Sequence, residues 1–178
     1  MLIRPLMLFI FASVILCSRA VQAGDGSAKA GDLLAAGLPL VAAGLSLERD
    51  DLTGLWQLLK AEGTTVVLTQ GLKVATHETR PNGRDDKSFP SLHASVAFAA
   101  AQYLQVRDGW TYGLPAYLAA GLVAYSRVHA HEHSTKDVVA GALLGASAST
   151  YFTERLPRTG IAVVFGPGSA AVQVQQRW

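Results

Sequence analysis

Apolar and polar positions fall in blocks along this chain: between Leu33 and Phe152, stretches rich in Leu, Ala, Val and Gly are separated by short clusters of charged, Gly and Pro residues. Blocks of that length, without the two-residue alternation of a half-buried strand, predict helices. They are expected over Leu33 to Leu47, over Leu52 to Leu59 continuing past the break at Lys60 to Gly63 into Thr64 to Thr76, and over Ser91 to Val106, Tyr112 to Val128 and Val138 to Phe152. Ala119, Ala120, Gly121, Ala140, Gly141, Gly145 and Ala146 let the last two approach neighbours closely. Gly24 to Lys29 reads as a mobile leader. Near the C-terminus the pattern changes to two β-favouring runs, Ile161 to Phe165 and Ala170 to Val174, around the turn-type residues Gly166, Pro167, Gly168 and Ser169. The expectation is an all-α, compact helical bundle over residues 24–156, with a tail over 157–178 that forms a short C-terminal β-hairpin.

The N-terminal stretch has Arg4 near its start, an apolar run from Leu6 to Cys17 and small residues ahead of Gly24. That layout predicts a secretory signal peptide over residues 1–23; a retained membrane anchor is the alternative, less favoured because the run is short for a span. Export to the periplasm follows, associated with the inner membrane or embedded in it. Without that segment the chain has no cysteine, so packing and not disulfides must hold it together. Removing Arg4 and Arg19 from 15 basic residues leaves 13 against 13 acidic ones. A neutral chain is a poor partner for nucleic acid, whose phosphates require a basic excess. The mean hydropathy of +0.27, with 16% charged residues, leaves membrane association open.

Residues of catalytic type fall into three short stretches at the ends of the apolar blocks. In Lys73-Val-Ala-Thr-His-Glu-Thr-Arg80-Pro81 the two cations are seven apart, about two helical turns, so one face would grip an anion before Pro81 ends the helix. Ser88-Phe89-Pro90-Ser91-Leu92-His93 opens the next helix, whose unpaired N–H groups attract phosphate; Ser91 adds a hydroxyl and His93 an acid for a leaving oxygen. Ser126-Arg127 followed by His133 and Asp137 supplies a third cation and a histidine four residues before a carboxylate, a spacing at which Asp137 can accept from one ring nitrogen and leave the other to attack. Each stretch alone has a bland reading: a solvated face, an N-cap, a structural His/Asp pair.

Together, Lys, six residues, Arg-Pro; Pro-Ser-Leu-His; and Ser-Arg, five residues, His, three residues, Asp resemble the signature of the type 2 phosphatidic acid phosphatase superfamily, which includes lipid phosphatases, soluble acid phosphatases and vanadium haloperoxidases. The resemblance implies a helical bundle of the acid phosphatase and haloperoxidase type. It implies that His133 attacks phosphorus to give a phosphohistidine, Asp137 orients it and His93 protonates the departing alcohol. Lys73, Arg80, Ser91, the Leu92 backbone N–H and Arg127 would then hold the phosphate, with no metal or cofactor, and vanadate would inhibit. Leu92 stands where the family commonly has Gly, and only eight residues separate Pro81 from Pro90, which leaves little room for a lid. The expected substrate is a phosphomonoester or diphosphate, of a lipid or of a small soluble molecule. Three rivals stand beside this reading: a metal site on His129, His131 and His133 with His93 as a further ligand, a vanadate-dependent haloperoxidase, and a non-enzymatic membrane or scaffold protein.

Overall fold

A computed structural model describes residues 26–156, 158–166 and 169–177, and the side chains from Ala28 to Leu156. The signal segment expected over residues 1–23 lies outside them. Among the described residues there are five helices followed by two strands: α1 (Gly26–Glu48), α2 (Leu52–Thr76), α3 (Leu92–Asp108), α4 (Trp110–His129), α5 (Thr135–Phe152), β1 (Arg158–Gly166) and β2 (Ser169–Arg177). The strands pair antiparallel from Arg158 against Arg177 to Gly166 against Ser169, the hairpin anticipated from their composition.

α3 is the central helix and packs against all four others. This explains its alanines: Ala94, Ala97, Ala99, Ala100 and Ala101 are fully buried, because a helix enclosed on every side has no room for a polar face. Leu34, Leu38 and Leu45 of α1, Leu58 of α2, Tyr103 and Leu104 of α3 and Val123 of α4 complete the core. α5 meets α3 backbone to backbone. A Cβ at Gly145 would overlap the Ser95 carbonyl, and one at Gly141 would lie 2.5 Å from the Ser91 carbonyl. The small residues seen in the sequence thus set the distance between the two helices that carry His93 and Asp137.

α1 starts earlier than the apolar pattern indicated, and α2 has the expected extent. α1 begins at Gly26, so Gly26 to Lys29 are helical and not a mobile leader. α2 is continuous through Lys60 to Gly63, and one of its polar stripes faces inward: Gln57, Thr65, Thr69 and Lys73 are buried while Trp56, Val67 and Val74 are exposed. Lys73 falls on this inward stripe because it follows Gln57, Ala61, Thr65 and Thr69 at steps of four. α2 stops at Thr76, where His77 adopts a left-handed C-cap (φ 47°) and its N–H returns to the Lys73 carbonyl. Arg80 is therefore on the loop that follows and not two helical turns from Lys73, a correction to the expected shared face.

Candidate active site

The end of α4 determines where His133 sits. Beyond His129 the chain folds back over the last turn: the Glu132 and His133 N–H groups both donate to the Arg127 carbonyl, at 3.1 and 3.2 Å. His131 takes φ 54° to allow the reversal. Ser134 then caps α5 in a reciprocal capping box with Asp137. His133 is thus pinned between two helix ends, with its side chain only 3% exposed. Burial, and then the charges of Lys73 and Arg80, hold its ring well below the ordinary range, at about 4, with Asp137 acting in the opposite sense. The imidazole is neutral at physiological pH, the state a nucleophile needs.

Asp137 lies beside His133 but does not bond to it as its spacing suggested. Its Oδ2 is 3.7 Å from His133 Nδ1 and instead accepts from Ser88 Oγ (2.6 Å) and the Ser134 N–H (2.7 Å). His133 Nδ1 and Asp137 Oδ1 are both buried without a hydrogen-bond partner. Two buried polar groups left open side by side are costly in a resting fold, and a small ring movement would join them.

Three cations reach this place from separate segments. Lys73 is buried, and its Nζ donates to the carbonyls of Lys87 (2.6 Å) and Ser88 (3.3 Å). Burial, and then the neighbouring Arg80, lower it to about 8. The loop following α2 closes on itself through Arg80 N–H to the Asp85 carbonyl (2.9 Å), and this turns the guanidinium inward. There Arg80 pairs with Asp85 and Glu132, each at 2.7 Å. Arg127 is 4% exposed and reaches across to α1, where it pairs with Asp32 at 2.7 Å and donates to the Ala28 carbonyl.

The start of α3 faces the same place. Ser91 is the N-cap and fully buried; its Oγ accepts from the Ala94 N–H, leaving the hydroxyl hydrogen to donate elsewhere. The N–H groups of Leu92 and His93 are the first of the helix and have no acceptor within it. His93 is partly exposed, with Nε2 3.0 Å from Asp32. Burial, followed by Arg127, pushes its ring below its usual value.

Lys73, Arg80, Ser91, Leu92, His93, Arg127, His133 and Asp137 are thus carried to one end of the bundle by α2, α3, α4, α5 and two loops. Such an arrangement can bind a tetrahedral anion on cations and helix N–H groups beside a neutral histidine, with a second histidine placed to move a proton. His129 and His131 are exposed, and His129 stacks on Tyr125. Four residues here were not singled out from the sequence. Asp32, Asp85 and Glu132 hold the arginines, and Ser88 holds Asp137. Only Ser88 had a local signal, its place beside Pro90 and Ser91.

A family model described as the PAP2 superfamily matches residues 54–159. A lipid A 4'-phosphatase from Helicobacter pylori is 33% identical over 121 residues, covering 62% of this chain and 61% of the relative, so the chain spans about three fifths of that relative's length. The crystal structure of Aquifex aeolicus LpxE aligns with a TM-score of 0.57 and 24% identity over 83% of this chain and 84% of its own, a likeness of fold.

Proposed function

This chain belongs to the PAP2 superfamily, and from that premise we propose that it is a membrane-associated phosphatase that hydrolyses a phosphorylated lipid through a phosphohistidine on His133, without a metal. The observation that carries the reading is a neutral, buried His133 beside Lys73 and Arg80, with Arg127 joining the same two cations around His93 at the start of α3.

The chemistry follows from those positions. The three cations and the Leu92 and His93 N–H groups neutralise the phosphoryl oxygens and leave phosphorus open to attack. His133 attacks through one ring nitrogen; as its ring becomes cationic, Asp137 takes up the hydrogen bond left open in the resting site. The P–O bond breaks, its electron pair passes to the leaving oxygen, and that oxygen takes a proton from His93. Water then displaces the histidine, with His93 as the base. Fixed side-chain charges supply the electrostatic stabilisation that a divalent ion provides elsewhere.

A lipid substrate and membrane association rest on the surface. Leu33, Leu40 and Leu47 repeat every seven residues along one exposed stripe of α1, and Trp56, Val67, Trp110, Leu114, Leu118, Val139, Leu143 and Tyr151 are exposed on α2, α4 and α5. Apolar exposure on this scale, around an inward-facing polar stripe on α2, suits a hydrocarbon surrounding better than water. The segment from Ala28 to Glu48 is long and apolar enough to cross a membrane. We read the location as periplasmic, on the outer side of the inner membrane.

Phosphate release by the purified protein in detergent tests the reading, with phosphatidate, lipid A and an aryl phosphate offered in the presence of EDTA. Wild type is expected to release phosphate, to be inhibited by vanadate, and to lose about a thousandfold or more in His133→Ala with unchanged folding. Strong inhibition by EDTA would sink the metal-free mechanism. Release from none of the three would return the chain to the non-enzymatic or haloperoxidase readings.

A further inference from the structure

We propose that Asp32 is a positioning residue for the leaving-group acid: one of its carboxylate oxygens, brought in by α1, holds the His93 ring at Nε2 and ties it to Arg127. The proposal rests on the phosphatase reading above. Asp32 Oδ1 is 3.0 Å from His93 Nε2 and 2.7 Å from Arg127 Nη1, so α1, α3 and α4 meet at a single oxygen. The placement is built into the fold. Gly31 lies against Ser126 and Arg127, where a Cβ would overlap both side chains, and Arg127 donates to the Ala28 carbonyl one turn before Asp32.

Nothing local calls for an aspartate at this position. It is the seventh residue of α1, past the first turn where an acid would cap the helix or meet its dipole, and Asp is a poor helix former in an interior. Its side chain is 52% exposed, so it fills no core space. The carboxylate is explained by what it touches.

With Nε2 set against Asp32, Nδ1 is the ring nitrogen that carries the proton to the leaving oxygen. As the P–O bond breaks, its electron pair moves to oxygen and the Nδ1 proton follows, leaving a neutral ring beside the carboxylate. The charges facing His93 are Arg127 from α4, Asp32 from α1, Arg80 from the loop after α2 and Lys73 from α2. Burial and the three cations disfavour the protonated ring; Asp32 opposes them and retains the proton to higher pH.

The role is read from leaving-group dependence, which a merely structural residue would not move. In Asp32→Asn, kcat/KM for an alkyl phosphate, whose alkoxide leaves poorly without a proton, is expected to fall about tenfold or more. For p-nitrophenyl phosphate, whose phenolate needs little help, it is expected to stay within about threefold. The alkaline limb of the alkyl profile is expected to move to lower pH. Histidine-labelled protein, with His93 assigned through His93→Gln, should show the His93 ring releasing its proton at lower pH in Asp32→Asn, independently of turnover.

Equal changes on both substrates with an unmoved His93 titration would overturn the proposal. So would tighter binding of inorganic phosphate without leaving-group selectivity, which would make Asp32 a counter-ion that phosphate displaces. A wild type inactive on both substrates would overturn the phosphatase reading itself, and this role with it.

Discussion

Arg127 and Arg107 lie equally deep in the bundle, 4% and 5% exposed, at opposite ends. α3 runs between them, and its 17 residues span about 25 Å. Arg107 is closed on every side: it grips Asp51 through two nitrogens at 2.8 and 2.6 Å and donates to the Glu154 carbonyl at 2.8 Å. Asp51 in turn caps α2 through the Gly54 N–H, and Asp108 pairs with Arg49 nearby. Arg127 instead meets a half-exposed carboxylate, in a place where His133 Nδ1 and Asp137 Oδ1 remain without partners. Both guanidiniums donate through all three nitrogens, Arg127 to Ser126 Oγ, Asp32 and the Ala28 carbonyl; the difference is that one sits among completed partners and the other beside a half-exposed carboxylate and open polar groups, the setting the proposed phosphate site needs.

The most direct way to break the comparison is to remove each arginine in turn. Arg127→Ala is expected to lower kcat/KM by about a hundredfold or more while costing less stability than the same change at Arg107, because the half-exposed Asp32 left behind can turn to water. Arg107→Ala should do the reverse, costing about 3 kcal/mol in denaturant unfolding because the largely buried Asp51 loses its bidentate partner and keeps only the Gly54 N–H, with activity per folded molecule retained. Loss of activity in folded Arg107→Ala would show that the far end is coupled to the site.

The pH profile sharpens the contrast, because the titrations expected to matter all lie at the site end. In the proposed mechanism His133 must be neutral to attack, so kcat/KM is expected to fall about tenfold per unit as pH drops below about 4, where the ring takes a proton. In the proposed mechanism Lys73 must be charged to bind phosphate, so with an aryl phosphate the alkaline limb should appear near 8. With an alkyl phosphate it should come earlier, where His93, lowered by burial and Arg127, gives up its proton. A single alkaline limb at the same pH for both substrates would contradict the division between the phosphate-binding lysine and the acid.

The smallest effect is expected at Ser88, which bonds Asp137 at 2.6 Å. Ser88→Ala frees Oδ2 for His133 but removes a fixed donor, and is expected to lower kcat by roughly fivefold to tenfold, about the worth of one hydrogen bond. A faster enzyme would mean that Ser88 restrains the relay.

Much of the candidate site was legible because each of its three stretches is local, and the fold brings the three together. Lys73 and Arg80, Ser91 to His93, and Arg127 to Asp137 lie in segments whose backbone is bent by their own Pro, capping and turn residues. What was misread turned on competition for the same group. Arg80 left the helix because His77 ended it early. Asp137 did not bond His133 because the Ser134 N–H and Ser88 hold its Oδ2 and fix the carboxylate at 3.7 Å from the ring, with Oδ1 left open.

The sequence by itself determined the all-α bundle with its terminal hairpin, and which residue types stand at phosphate-binding and histidine spacing, since helical periodicity and short-range spacing are properties of neighbouring positions. Only the tertiary structure decided that α2 turns its polar stripe inward and that Asp32, 95 residues from Arg127, closes on His93. Spacing along a chain constrains partners within a turn or two; which distant face comes to meet them depends on how α1, α3 and α4 pack together.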